Sequence, residues 1–153
     1  MALAKGTNSY VTVAEADTYF SDRLLSSSWA GIADADKEKA LVSATDLIDS
    51  KAYLGTSIST LAFPRNGYYL DPVSGSYASM DPVPNRVIDA VCLLALHLSQ
   101  NPEVLSETGG VRSLKVGSIS LDLIKEKRVI PGIVTTLLRP LMDKTSRNWF
   151  RSN

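Results

Sequence analysis

The sequence predicts a mainly helical fold: a small bundle of about four helices with one β-hairpin and a long irregular loop. Apolar residues recur at helical spacing in four segments. One pair of segments with alternating apolar and polar residues flanks a Gly-Ser turn, and a separate stretch rich in proline and glycine has no periodicity. We predict a domain over residues 1–142 and a tail over residues 143–153.

The first helix begins with a capping box. The Thr12 hydroxyl can accept from the third helical amide while the Glu15 carboxylate reaches back. Helical spacing continues to about Leu25, where we expect this helix to end. A serine run and Gly31 then break the chain, and Trp29 is expected to pack back on the core.

Two longer helices are predicted on either side of the irregular loop. The second helix starts at Asp34 or Asp36 and stops by Gly55, because glycine favours the backbone that follows a helix. The third has Pro84 at its first position, where a missing amide costs nothing. It is apolar nearly all round, so we expect it to be central, and an Asn-Pro pair at 101–102 ends it.

The loop over residues 55–83 shows neither helical nor strand periodicity. It carries Tyr68, Tyr69 and Tyr77, and a purely solvated linker seldom holds three aromatic residues so close together. Contact with a neighbouring molecule and packing on the chain's own domain are equally open for these tyrosines. We expect the loop to be mobile in the free protein and ordered in an assembly.

The predicted hairpin covers residues 111–124 around the turn Gly117-Ser118. The alternation of apolar and polar residues agrees with the turn, so the register is specified. This register pairs Val116 with Ile119, Lys115 with Ser120, Leu114 with Leu121 and Ser113 with Asp122.

Pro131 opens the fourth helix, whose apolar positions include Ile133, and Pro140 kinks or ends it. The tail beyond is polar except for one aromatic pair. Tryptophan and arginine are favoured anchors of interfaces, so docking on a partner competes with a simple frayed terminus. The candidate contact residues of the tail are Arg147, Trp149, Phe150 and Arg151.

Residues typical of catalysis are scarce. His97 is the one histidine, and it lies in the apolar third helix without a second histidine or a cysteine at metal-ligand spacing. No nucleophile elbow or phosphate loop occurs. The carboxylate pairs Asp34/Asp36 and Asp46/Asp49 are expected on solvated helix faces. We therefore expect no enzymatic activity, no cofactor and no metal.

The amino-acid composition narrows the remaining classes of function. Lys+Arg and Asp+Glu balance at 16 each, which argues against a protein that mainly grips nucleic acid. Nevertheless, Arg65, Tyr68 and Tyr69 could form a small stacking and phosphate-contacting cluster of the kind that single-strand binders use. The same residue types also suit protein contacts. The single cysteine, Cys92, favours a reducing cytoplasm, and no apolar stretch is long enough to cross a membrane.

Several short phrases resemble, in order, those of a bacteriophage protein family. Residues 8–20 (NSYVTVAEADTYF) are similar to its opening, and residues 40–49, after Trp29, to its second block. Residues 61–65 (LAFPR) resemble a third phrase. The Val-Pro pair at 83–84 and the KVGSI phrase at 115–119 follow, so the resemblance covers roughly residues 8–141.

That resemblance implies two main functions and no catalytic residues. The family is labelled both as DnaT-like single-stranded DNA-binding proteins and as head–tail connectors of tailed phages. Because a conduit for DNA must not hold phosphates tightly, the balanced charge favours the connector. Our first expectation is therefore a structural virion protein at the neck, assembled in the host cytoplasm. A replication accessory that binds single-stranded DNA is the alternative, and another small virion or assembly factor is a third possibility.

The connector interpretation also carries expectations about partners. It implies a homo-oligomeric ring of about twelve subunits that contacts the portal protein and a tail or second connector protein. Viral DNA would pass through the ring in passive contact, and no membrane is involved. The interface candidates are Arg65, Tyr68, Tyr69, Tyr77, Arg147, Trp149, Phe150 and Arg151.

Overall fold

The computed structural model describes residues 2–106, 115–116, 119–120 and 129–144. This part of the chain is mainly α, as predicted, and it also contains three short antiparallel strand pairs. The elements are α1 (Val13–Ser21), α2 (Ser26–Ala30), α3 (Asp34–Asp49), β1 (Thr56–Ser57), β2 (Arg65–Asn66), β3 (Tyr68–Leu70), β4 (Tyr77–Ser79), α4 (Asn85–Gln100), β5 (Lys115–Val116), β6 (Ile119–Ser120) and α5 (Gly132–Leu138). Short 3-10 helices follow α4 and α5, at Pro102–Leu105 and Arg139–Leu141.

The core forms around α4, which packs against α3 and α5. Its buried side chains are Val87, Ala90, Val91, Cys92, Leu94, Ala95, Leu96 and Leu98. Each large aliphatic side chain buried in this way stabilises the fold by about 1.5–3 kcal/mol. The prediction that this helix is central is therefore confirmed. Helix α4 ends at Gln100, immediately before the Asn-Pro pair, also as predicted.

The capping box of α1 is confirmed, but the predicted end of this helix is wrong. Thr12 Oγ1 accepts from the Glu15 amide at 3.2 Å, and the Thr12 amide donates to Glu15 Oε2 at 2.8 Å. The helix stops at Ser21 rather than near Leu25, and the serine run that was expected to break the chain forms α2 instead. This second, short helix brings Trp29 onto the core.

The burial of Trp29 is the physical reason why α1 ends early and α2 forms after it. The indole is 1% exposed and stacks on Phe20 with ring centroids 4.9 Å apart. Its Nε1 donates to Asp17 Oδ1 at 2.7 Å, and the Lys37 ammonium lies 3.0 Å from the same oxygen. Burial alone would raise the pKa of Asp17, but the hydrogen bonds from Lys37 and Trp29 outweigh it and lower this pKa.

The loop predicted over residues 55–83 is not irregular throughout. It contains β1 paired with β2 and β3 paired with β4. Each strand has only two or three residues, too few to show alternation in the sequence. Contacts from distant side chains hold these strands in place, and a periodicity analysis cannot detect such contacts.

Several helix boundaries differ from prediction by a few residues. Helix α3 begins at Asp34 as expected but ends at Asp49, before Gly55. Pro84 and Pro131 are the N-cap residues of α4 and α5, each one position outside its helix. Helix α5 ends at Leu138, and Pro140 lies in the 3-10 helix that follows. Ile133, predicted as a core position of this helix, is 60% exposed.

The predicted hairpin register is confirmed where it is described. Lys115 pairs with Ser120 and Val116 with Ile119. The other residues of the hairpin, including the predicted pairs Leu114–Leu121 and Ser113–Asp122, lie outside the described residues.

The start of the predicted tail lies against its own domain. The Asp143 amide donates to the Ala52 carbonyl at 3.1 Å, and Met142 forms a β-bridge with Tyr53. The tail therefore does not depart from the domain at residue 143. The contact candidates Arg147, Trp149, Phe150 and Arg151 lie outside the described residues.

Candidate functional site

The segment between α3 and α4 is organised around the Arg65 guanidinium. Its Nε donates to the Leu54 carbonyl at 2.6 Å, and its Nη1 donates to the Ala62 carbonyl at 3.0 Å. Its Nη2 donates to the carbonyls of Gly55 at 2.7 Å and Tyr53 at 3.3 Å. One planar cation therefore donates to four carbonyl oxygens of this segment at once.

A second set of contacts anchors this segment to α3. The Tyr10 hydroxyl donates to Asp49 and accepts from the Phe63 amide at 3.0 Å, while Asp49 Oδ2 accepts from the Ala62 amide at 3.0 Å. Burial, with a further contribution from Asp49, raises the pKa of Tyr10 well above its usual range. Asp49 was predicted on a solvated face; this is wrong, because its carboxylate accepts from the Ala62 amide and from the Tyr10 hydroxyl.

The hairpin formed by β3 and β4 carries the tyrosines. Its register pairs Tyr68 with Ser79, Tyr69 with Ala78 and Leu70 with Tyr77. Alternate residues of a strand point to opposite faces, so Tyr68, Leu70 and Tyr77 share one face and Tyr69 lies on the other. Tyr69 is buried, whereas Tyr68, Leu70 and Tyr77 are 67%, 53% and 77% exposed. We call these three exposed side chains the hairpin face.

An ion pair ties this hairpin to α4. Arg86 Nη2 lies 2.8 Å from Asp71 Oδ1, and both side chains are largely buried. The Asp71 carboxylate also accepts from the amides of Val73 at 3.3 Å and Ser74 at 3.2 Å. The Arg86 guanidinium, together with these amides, lowers the pKa of Asp71. The turn of the hairpin is thus held by hydrogen bonds inside the turn and by the ion pair with α4.

The structure divides the predicted site residues into two groups. Arg65 and Tyr69 contribute to the interior of the segment, since one is engaged by backbone carbonyls and the other is buried. Tyr68 and Tyr77 lie together on the hairpin face. The cluster predicted from Arg65, Tyr68 and Tyr69 therefore does not form one exposed surface.

Two features were missed in the sequence. Leu70 joins the exposed tyrosines, and only the register shows this. The charges are also segregated: residues 107–153 hold nine Lys/Arg and four Asp/Glu, whereas residues 1–106 hold seven and twelve. Counting charges by segment rather than over the whole chain would have found this basic carboxyl-terminal third.

The described residues give little support for a metal site, a membrane span or another binding groove. They contain no group of three or more His, Cys, Asp or Glu side chains placed to hold a metal ion. None of the helices described is both long and apolar enough to cross a bilayer. A groove of about 620 Å³ between α3 and the end of α4, lined in part by Ile32, Lys39 and Leu105, has no aromatic side chain in its wall. The hairpin face is therefore the stronger candidate.

These features define a small, mainly helical protein whose most distinctive surface is an exposed aromatic face. Residues 2–152 match the family described as "Putative DnaT-like ssDNA binding protein", and the chain belongs to this family. Neither the curated proteins nor the solved structures that were compared contain a match to the chain.

The family match corrects the first functional expectation. It supports the DnaT-like, single-stranded-DNA alternative and gives no support to a head–tail connector in a virion, so that interpretation is wrong. The error came from reading a net charge of zero as if basic and acidic residues were evenly distributed along the chain. A chain whose cations and anions are segregated can present a basic region to phosphates even though its total charge is balanced.

Proposed function

We propose that this protein binds single-stranded DNA as a non-enzymatic accessory protein, with the hairpin face as the base-contacting surface. The observation that carries the proposal is the pair of exposed rings, Tyr68 and Tyr77, on one face of a two-stranded hairpin whose other face carries the buried Tyr69. Family membership gives independent support.

Exposed aromatic rings suit unpaired bases. Bases of a single strand present their π-faces, and stacking of one base on an aromatic side chain contributes about 1–3 kcal/mol. In a duplex the same faces are covered by neighbouring bases. Tyr68 and Tyr77 form no ring–ring pair with another aromatic residue in the described part of the chain, so both rings are open to stacking. Leu70 adds apolar area between them.

Contacts with the rest of the domain anchor the hairpin face. The Asp71–Arg86 ion pair holds the hairpin turn against α4, and Arg65 holds the preceding segment through backbone carbonyls. Binding to a preorganised surface avoids the entropic cost of ordering it. Rotation of the two tyrosine rings is then the main freedom that stacking removes.

Phosphate contacts are assigned to the basic third of the chain. Arg65 is engaged by carbonyls and Arg86 by a carboxylate, so neither offers an unpaired cation beside the hairpin face. Residues 107–153 carry five more basic than acidic residues. This excess supports binding that weakens as salt rises, because each neutralised phosphate releases counterions.

The test is fluorescence anisotropy with a labelled mixed-sequence oligonucleotide. The double variant Tyr68→Ala/Tyr77→Ala is expected to bind at least about thirtyfold more weakly, because two stacking contacts of about 1–3 kcal/mol each are lost. Leu24→Ala is the matched control, since Leu24 is fully exposed but lies outside the hairpin. This variant should bind like the wild type.

A second arm separates single strands from duplex. An unlabelled single strand should compete much better than the same sequence as duplex. Unchanged affinity in a double variant that melts at the wild-type temperature would contradict the role of the hairpin face. Failure of the wild type to bind single strands would contradict the function itself.

A further inference from the structure

A pocket of about 290 Å³ opens beside the hairpin face, where β1–β2 and β3–β4 meet. The side chains that give it its character are Ile58, Asn66, Tyr68, Ser79 and Asp81. The exposed Tyr68 ring therefore belongs to the hairpin face and also forms one wall of this pocket.

The pocket combines apolar walls with a polar edge. Tyr68 and Ile58 are 67% and 55% exposed and present flat or branched apolar surface. Ser79 is already engaged, because its hydroxyl donates to the Asp81 carbonyl at 2.9 Å and accepts from the Asp81 amide at 3.1 Å. The Asp81 carboxylate and the Asn66 amide remain as the polar groups available to a ligand.

The charge at this edge selects the kind of ligand. Arg65 also borders the pocket, but its guanidinium donates to four backbone carbonyls. The Asp81 carboxylate makes no hydrogen bond within the described residues, so it is the one ionised group open to a ligand there. A carboxylate repels phosphate and accepts hydrogen bonds from amino groups, as acidic side chains do with cytosine N4.

We propose that this pocket binds one nucleobase of the single strand and prefers a base with an exocyclic amino group to thymine. The base stacks on Tyr68, and its amino group donates to Asp81. Thymine would instead place a carbonyl oxygen near the carboxylate, which is unfavourable. The inference rests on the proposed single-stranded DNA binding and adds a base preference to it.

Cytosine and thymine give the sharpest comparison because both are pyrimidines of similar size. Anisotropy with labelled oligodeoxycytidylate and oligothymidylate of equal length, at neutral pH, measures the preference. The wild type is expected to bind the cytosine oligomer on the order of tenfold more tightly, the effect of one charge-assisted hydrogen bond.

Asp81→Asn should bring this ratio close to one without weakening binding to the thymine oligomer. Asp22→Asn is the matched control, because it makes the same charge change at another exposed carboxylate, at the end of α1. It should keep the wild-type ratio. Thermal melts of all three proteins verify that each is folded.

The outcomes distinguish the two levels of the proposal. Equal binding of both oligomers by the wild type overturns the pocket assignment while single-stranded DNA binding stands. A cytosine preference that survives in Asp81→Asn also overturns it. If neither oligomer binds, the proposed function itself fails.

Discussion

Two glycines with nearly the same positive φ have different surroundings. Gly55 has φ +70° and Gly75 has φ +68°, a region that side chains rarely adopt. A Cβ at Gly55 would lie 2.3 Å from the Asn66 carbonyl oxygen, whereas at Gly75 it would meet nothing within 4 Å. Gly55 is therefore required both for its backbone conformation and for the close approach of β2.

This contrast gives a prediction for stability. Gly75→Ala should lower the free energy of unfolding by about 1 kcal/mol, the cost of the left-handed conformation. Gly55→Ala should lower it by about 3 kcal/mol or more, because the backbone must also move. Urea denaturation of both variants measures the difference. Equal losses would mean that β2 does not approach Gly55 as described.

The buried thiol of Cys92 makes a second prediction at the residue scale. Burial raises the pKa of Cys92 to about 12. The folded state therefore disfavours the thiolate, and the corresponding stability is complete below the ordinary thiol pKa of about 8.5. It is lost progressively as pH rises from there toward about 12, since the unfolded chain ionises first.

The free energy of unfolding should accordingly fall as pH rises above about 8.5. Between pH about 8.5 and about 10 this fall should be absent in Cys92→Ala. Above pH about 10, tyrosines also begin to ionise. Urea titrations at several pH values measure both curves. In the native protein at neutral pH, a thiol reagent should modify Cys92 only as fast as the chain unfolds. Rapid native-state labelling would show that the thiol is accessible.

At the scale of elements, Arg65 determines the conformation of the segment between α3 and the hairpin. Arg65→Lys keeps the charge, but an ammonium cannot reach the carbonyls of Tyr53, Leu54, Gly55 and Ala62 together. The free energy of unfolding should fall by about 2–4 kcal/mol. Arg139→Lys, the same change at an exposed position, is the control and should be nearly neutral.

Limited proteolysis adds a local readout to this prediction. Cleavage between residues 53 and 66 should be faster in Arg65→Lys than in the wild type or the control. If Arg65→Lys is as stable and as resistant as the wild type, the four carbonyls do not depend on the guanidinium.

At the scale of the whole molecule, the segregation of charge predicts where salt dependence originates. Lys125→Gln with Lys127→Gln removes two cations from the basic third. If both contact phosphates, the slope of log affinity against log salt should fall in magnitude by up to about 1.4. Anisotropy titrations at several salt concentrations give this slope.

The control for that measurement comes from the acidic part of the chain. Lys5→Gln with Lys39→Gln makes the same charge change, but these lysines pair with Glu15 and Asp36. The slope should then remain at the wild-type value. A similar loss in both double variants would indicate that only net charge matters, and the assignment of phosphate contacts to residues 107–153 would be wrong.

The sequence by itself determined the features that depend on neighbouring residues. The capping box at Thr12, the central helix and the Val116–Ile119 register were all predicted, because each follows from residues a few positions apart. The mainly helical class follows from the same local periodicity. The end of α1 was not predicted, since it depends on the burial of Trp29 against Phe20.

Only the tertiary structure decided which residues of the candidate site face outward. Three tyrosines were found in the sequence, but the pairing of β3 with β4 exposes two and buries one. Arg65 looked available for phosphate until its contacts with backbone carbonyls were seen. The Tyr10 hydroxyl contacts the Phe63 amide across 53 positions of the chain. Such contacts arise when packing brings distant segments together, and no local pattern in the sequence encodes them.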